Sequence, residues 1–454
     1  MNYLYQKSPI FVQNLVCTYK GLKEKNSRFG EGFQEYYDFL LKTQWYTRSQ
    51  IEEYQISRIR KLVKYVYENV PYYNELFKSE KLLPSDINTL LDLNKIPVLT
   101  KEIVRNRYRD LINPKYNKPV VKAHTSGSTG KALNFLFSKD AIKYRWALWF
   151  RHRERFGIVP HDAYATFTGL VAVPINQKNP PFWRENYAMK QTIFTMHHIS
   201  SGKIESIVNR LNQGGFAYYS GYPSILFSLA TLIEAYDLKI TASPKVIFTG
   251  AEALLDNQRK IISRVFNCLV TDQYGFSEGA GNASRCEHDL FHEDYEYGIL
   301  ECNNEKQNGI YKTGEILGTG FTNLAMPFIR YKIGDTATWV DKKCVCGRRS
   351  KTIFKIEGRN EDYVITPEGN KILRFDYIFK RAVNIQEAQI VQCKLGEITI
   401  RIVKRPTYSN HDENNLLNEV AKKVSPSLKV KFEYLSEIER ENTGKYRSVR
   451  SYVK

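Results

Sequence analysis

No run of 18 apolar residues occurs anywhere in the 454-residue sequence, so no segment is expected to cross a bilayer as a helix. The opening Met1-Asn2-Tyr3-Leu4-Tyr5-Gln6-Lys7 lacks the apolar core of a secretory signal, which leads us to expect a cytoplasmic protein. Cysteine is sparse. Seven cysteines scattered over this length exclude a disulfide framework and leave reduced thiols or metal ligands. There is no internal repeat, and the 31 tyrosines come without a basic-aromatic repeat, so nucleic acid is not an expected partner. Acid is in deficit: 48 acidic against 67 basic residues give a net charge of +19. Such a chain favours anionic partners, among them nucleotides, acidic sugars and a phospholipid surface, and is compatible with peripheral membrane association.

What is present begins with His124-Thr125-Ser126-Gly127-Ser128-Thr129-Gly130-Lys131-Ala132-Leu133, preceded by a short strand candidate at residues 119–123. Two closely spaced glycines let backbone N–H groups approach an anion, and four hydroxyls and an ammonium add donors. The stretch reads as a phosphate-holding loop, with a flexible Gly/Ser turn as the alternative. It is not a Walker loop, because only two residues separate Gly127 from Gly130 and Ala132 follows Lys131.

Residues 1–50 read as helices with a loop near 23–32, and residues 48–68 carry Ile51, Ile59, Leu62, Val63 and Val66 on one helical face. Thr100 is a natural N-cap. From residue 139 onward, helical spacings at 139–156, 202–212, 223–235 and 255–266 alternate with strand candidates at 217–222, 245–248 and 268–274. This alternation predicts an α/β fold with a mainly parallel sheet. Strands at 388–394, 397–404 and 429–435 with a helix at 414–424 predict a small α+β unit at the end. We place the division at 1–358 for a large N-terminal domain and 359–454 for a small C-terminal one.

Further stretches follow the loop in fixed order: Thr249-Gly250-Ala251-Glu252, Tyr274-Gly275-Phe276-Ser277-Glu278, Arg330-Tyr331-Lys332-Ile333-Gly334-Asp335, Gly358-Arg359-Asn360-Glu361-Asp362 and Asn442-Thr443-Gly444-Lys445. Together they resemble the adenylate-forming superfamily, and within it the phenylacetate–CoA ligase branch with its CapK-like members associated with capsular polysaccharide synthesis. The resemblance implies a ligase that joins a carboxylate to ATP as acyl-AMP and passes the acyl group to an acceptor, with residues 359–454 as a mobile lid. It implies that Thr125, Ser126, Gly127, Ser128, Thr129, Gly130 and Lys131 hold the β- and γ-phosphates. Gly250, Ala251, Glu252, Gly275 and Ser277 would line the nucleotide and acyl pocket, and Tyr274 would stack on adenine. Glu278 would bind Mg²⁺, Asp335 the ribose hydroxyls, and Arg359 the ribose or phosphates. Glu361 would be the hinge, and Lys445 the catalytic ammonium. Ala132 departs from the proline common in the family, a change of loop stiffness rather than chemistry.

Cys286, His292, Cys344 and Cys346 form a tetrahedral Zn²⁺ donor set of structural type, with His288 as the alternative to His292. For the acyl side the candidates are Trp149, His197, Tyr219 and Gly221. His197 is expected as a packing or hydrogen-bonding residue, because a carboxylate ionised at neutral pH needs no base. Amide or ester formation on a uronic acid of a polysaccharide or its precursor is the leading reading. An acyl- or aryl-CoA ligase using CoA comes next, and a non-catalytic nucleotide- or polysaccharide-binding protein last. The joint presence of Glu278, Asp335 and Lys445 speaks against the third.

Overall fold

The computed structural model describes residues 3–124, 133–359, 363–367, 371–373, 378–379, 382, 384–423, 425–440 and 447–453. The N-terminal helices are Ile10–Phe29, Phe33–Thr43 and Arg48–Asn69. The expected loop at 23–32 shrinks to Gly30–Gly32, because Lys23, Glu24 and Lys25 are straight-chain helix formers and nothing in the run breaks the helix. Thr47 caps the third helix in a reciprocal capping box with Gln50. Val70 ends it, and Pro71 opens the next helix, Pro71–Ser79, at the first-turn position where proline costs no hydrogen bond. Thr100 accepts from the Ile103 amide at 3.2 Å and caps Lys101–Asn106.

A single mixed sheet of twelve strands organises the body. Strands Gln191–Thr195, Tyr164–Thr168, Tyr218–Gly221, Val246–Thr249 and Leu269–Gly275 run parallel, in that spatial order. The crossovers include helices Ile204–Asn212, Pro223–Ala235 and Asp256–Phe266, which cover a core of Phe167, Phe194, Leu226, Ile247 and Phe266. Parallel pairing extends no further. From Asn282–Arg285 through Phe291–Glu293, Thr352–Arg359, Tyr331–Val340 and Tyr311–Gly320 to Gly298–Asn308, every pair is antiparallel. The chain there supplies turns instead of crossover helices, and antiparallel neighbours are the pairing that short turns permit.

A separate hairpin, Val120–His124 with Asn134–Ser138, brackets the phosphate-loop candidate. Asn323 anchors this hairpin, accepting from the Ser138 amide at 3.1 Å and donating to the Leu136 carbonyl at 2.8 Å. Phe135 and Phe137 enter the core formed with helix Arg48–Asn69 and strand Tyr331–Val340. Near the end of the chain, a four-stranded sheet comprises Lys429–Tyr434, Glu397–Lys404, Ile385–Lys394 and Val449–Ser451, with helix Asn410–Lys423 packed on it.

Candidate adenylating site and metal centre

Parallel strands expose their carboxyl ends on one edge, where α/β folds place ligands. Two motif stretches arrive there. Gly221 pairs with Thr249, and Thr249 with Asp272, so residues 250–252 and 274–278 emerge side by side. Ala251 adopts a left-handed φ of 66°, a conformation non-glycine residues enter at a cost. Glu252 turns back to accept the Ser224 amide at 3.2 Å, at the start of helix Pro223–Ala235. Burial, and then the charge of Glu252, push the Tyr222 phenol upward.

The other half of the edge comes from the antiparallel strands. Strand Tyr331–Val340 gains two residues against its neighbour between Lys332 and Thr336, and Gly334 sits in this bulge at φ 92°. The bulge brings the buried Asp335 carboxylate to the Tyr274 hydroxyl, which donates to it at 2.7 Å. Four residues earlier, the Tyr331 hydroxyl donates to buried Glu278 at 2.8 Å. Glu278 therefore has a fixed carboxylate orientation. The turn after it, at Gly279 with φ 73°, is roofed by the Phe137 ring, 2.6 Å from where a Cβ would lie. This contact joins the Glu278 turn to the hairpin bracketing residues 125–132. Arg359 pairs with Asp335 in backbone register.

Thr125, Ser126, Gly127, Ser128, Thr129, Gly130, Lys131, Glu361 and Lys445 lie outside the described residues. The small C-terminal unit still reaches the edge: Arg440 donates to the Ser224 hydroxyl at 2.7 Å and pairs with Glu387. Tyr331, Ser224 and Arg440 were missed as contributors; the last two join the expected Glu252 in one chain of contacts. Tyr331 stood inside a recognised motif without a role; Ser224 and Arg440 carry no local signal.

The acyl candidates separate. His197 is exposed just beyond strand Gln191–Thr195, and Gly221 ends its strand at the site edge. Trp149 packs edge-on against Trp146 at 4.9 Å under the Arg145 guanidinium. The expectation for Tyr219 is corrected. Strand alternation turns it into the core, fully buried against Phe167, Phe216 and Phe266, so it lines no pocket. Neighbouring His198 is buried on Phe182, accepts from Lys203 through Nδ1 at 2.7 Å and donates through Nε2 to the Pro174 carbonyl at 3.0 Å. Burial and then Lys203 push its pKa down to about 4.

Away from this edge, one ligand atom each from Cys286, His292, Cys344 and Cys346 lies within 4.8 Å of every other. Cys286 and Cys344 sulfurs are 3.7 Å apart, and Cys346 lies 3.3 Å from His292 Nε2. Zn–S bonds of about 2.3 Å place tetrahedral ligands roughly 3.8 Å apart, so the spacing matches a shared Zn²⁺. It is far too long for a disulfide. His288 is exposed and outside the cluster.

Known proteins resemble this chain over much of its length. Residues 364–452 match the CapK C-terminal domain family. Protein CapK of Staphylococcus aureus is 28% identical over 95% of this chain and 93% of its own length. The phenylacetate-coenzyme A ligase of Thermus thermophilus is 26% identical over 70% of this chain and 72% of its own. Among solved structures, 2-hydroxyisobutyryl-CoA ligase in the postadenylation state, with a bound acyl-AMP, superposes at a TM-score of 0.69. That match covers 90% of this chain and 91% of that one at 17% identity. In its thioesterification state the same ligase superposes at 0.56. Along most of its length the chain is thus similar to protein CapK and to the phenylacetate-coenzyme A ligases, and it has the fold of 2-hydroxyisobutyryl-CoA ligase.

Proposed function

We propose that this protein uses ATP to convert a carboxylate into an acyl-adenylate and then joins the acyl group to an amine or hydroxyl, in the building of a capsular or other cell-surface polysaccharide. The observation that carries the adenylation step is the pair of buried carboxylates, Asp335 and Glu278, each oriented by a tyrosine hydroxyl at one sheet edge. Asp335 accepts from the ribose hydroxyls while Tyr274 stacks on adenine. Residues 125–131 donate to the β- and γ-phosphates, and Gly250, Ala251, Glu252, Gly275 and Ser277 wall the pocket. Arg359 approaches the ribose or phosphates. A buried carboxylate is a hard oxygen donor suited to Mg²⁺, so Glu278 would hold that ion, which neutralises phosphate charge when bound.

The reaction asks the protein mainly for alignment and charge stabilisation. A carboxylate oxygen attacks the α-phosphorus as the bond to pyrophosphate breaks. Lys445 brings an ammonium to the developing charge. Residues 359–454 act as the lid, pivoting near Glu361 between half-reactions. The contact of Arg440 with Ser224 and the closer superposition on a postadenylation structure support a lid held in the adenylating arrangement. Cys286, His292, Cys344 and Cys346 hold a structural zinc ion. The four-protein-ligand set leaves no open position for catalytic water.

A CoA-ligase activity is the second reading, favoured by the phenylacetate-coenzyme A ligase relatives. The CapK match covers more of the chain and its small C-terminal unit belongs to the CapK type, which weighs toward an acceptor other than CoA. ATP–pyrophosphate exchange over small, aryl and uronic acids identifies the acid. Acceptor trials with CoA, amines and sugars then separate the readings. Well-folded protein that exchanges with no acid in the screen would overturn the proposal, and thioester formation with CoA alone would replace the first reading by the second.

A further inference from the structure

A cleft of about 700 Å³ lies apart from the strand-end site, between the N-terminal helices and the start of helix Lys139–Glu154. Its volume falls within the range of small-ligand sites. It borders Ser138, which pairs with Val120 at the base of the hairpin, whereas the phosphate-loop candidate is at the tip beyond His124 and Asn134. Four strand steps of about 3.3 Å separate base from tip by roughly 13 Å. Among the described residues, no residue of the nucleotide-site motifs lines it.

The lining combines aromatic faces with cations. Tyr36 and Tyr144 meet at 5.1 Å with their rings tilted by 55°, and Tyr54 stands against Phe39 at 6.0 Å. Such rings present an apolar face with a polar tip, the complement of a pyranose ring with its C–H face and hydroxyl edge. Asn69, Asn113 and Asn117 add amides that both donate and accept, as hydroxyls require. Arg58 reaches the cleft half-buried; its guanidinium donates to the Phe321 carbonyl at 3.0 Å, and among the described residues it has no carboxylate within ion-pair distance. Lys115 stands on the rim, while Lys118 is answered by Asp140 at 3.3 Å. The cations thus exceed the acid, and a half-buried guanidinium without a counter-charge asks for an anionic ligand.

We propose that this cleft binds an anionic saccharide, a sugar bearing a carboxylate, with the ring stacked on tyrosine and the carboxylate on Arg58. A nucleotide is the less fitting occupant, because the described lining offers only Arg58, Lys115 and Lys118 as cations, and Lys118 already pairs with Asp140. The inference goes beyond the ligase reading and does not require it: the cleft would dock a length of acidic polymer whose reacting group is handled elsewhere.

Calorimetric titration of the full chain with a short galacturonate oligosaccharide, without ATP or Mg²⁺, tests it. Saturable binding is expected, with the neutral galactose oligosaccharide at least tenfold weaker. Arg58→Gln should weaken the acidic ligand about tenfold or more, the loss of a charge-assisted contact. Lys115→Gln, at an exposed position on the rim, should weaken it several-fold. ATP binding should be unchanged in both variants, so failure here and failure of the ligase reading are told apart. Absence of binding, equal binding of the neutral sugar, equal binding by both variants, or displacement of the sugar by ATP would each overturn the proposal.

Discussion

Replacing Cys344 by serine tests the zinc centre. The four ligands come from two turns: Cys286 and His292 flank the turn into strand Phe291–Glu293, and Cys344 and Cys346 lie in the turn before strand Thr352–Arg359. A shared ion would clamp these turns where the two strands pair. The sequence separation of Cys286 and Cys344 is 58 residues. Closing a loop of that length removes about 4 kcal/mol of unfolded-chain entropy by the relation used for covalent cross-links. Unfolding entropy of about 2.1 cal/mol/K per residue sums to about 1 kcal/mol/K for this chain, so losing the clamp should lower the melting midpoint by about 4 °C. Elemental analysis of wild type should give one zinc per chain, Cys344→Ser should give little, and His288→Ala should keep a full complement. Cobalt substituted for zinc should show thiolate charge-transfer absorption. Metal-replete protein without zinc, or a Cys286–Cys344 disulfide in non-reducing mass spectrometry, would refute the reasoning.

Tyr331→Phe removes only the hydroxyl that orients Glu278, so exchange activity should fall about tenfold or more with the melting midpoint nearly unchanged; full activity would remove Tyr331 from the site. Gly334→Ala puts a Cβ where φ is 92°, with only Lys101 Nζ near at 3.4 Å, so the penalty is conformational, about 1–2 kcal/mol, and ATP affinity should drop through misplacement of Asp335. His198 is held neutral, with its pKa lowered from 6.5 to about 4. Between those values the unfolded chain binds the extra proton. Stability is therefore full above pH 6.5 and declines as pH falls toward 4, by at most about 3 kcal/mol. Denaturation midpoints across that window should fall less steeply for His198→Asn than for wild type.

The parallel half of the sheet was legible where a short apolar strand runs into a helix, as Tyr218–Gly221 does into Pro223–Ala235 and Val246–Thr249 into Asp256–Phe266; helix Pro223–Ala235 matches its expected bounds. The antiparallel half was not, since turns joining its strands leave no periodic signal. Asp335 and Glu278 could be picked out by their motifs, but their partners could not. The hydrogen bond from Tyr274 to Asp335 spans 61 residues and depends on a bulge at Gly334 that only strand register reveals. Tyr219 was misread because a strand residue beside a glycine-rich end faces either way according to alternation, and here it faces the core. The metal cluster was readable from ligand type, whereas the choice of His292 over His288 needed the burial of one ring and exposure of the other.

The most direct test of the central claim is the titration of Mg-ATP into wild type, Asp335→Ala and Glu278→Gln, with folding verified for each. The account predicts saturable binding by wild type, at least tenfold weakening in Asp335→Ala, and loss of the Mg²⁺ dependence in Glu278→Gln. Equal binding by all three proteins, or none by wild type, would contradict a nucleotide site at this sheet edge.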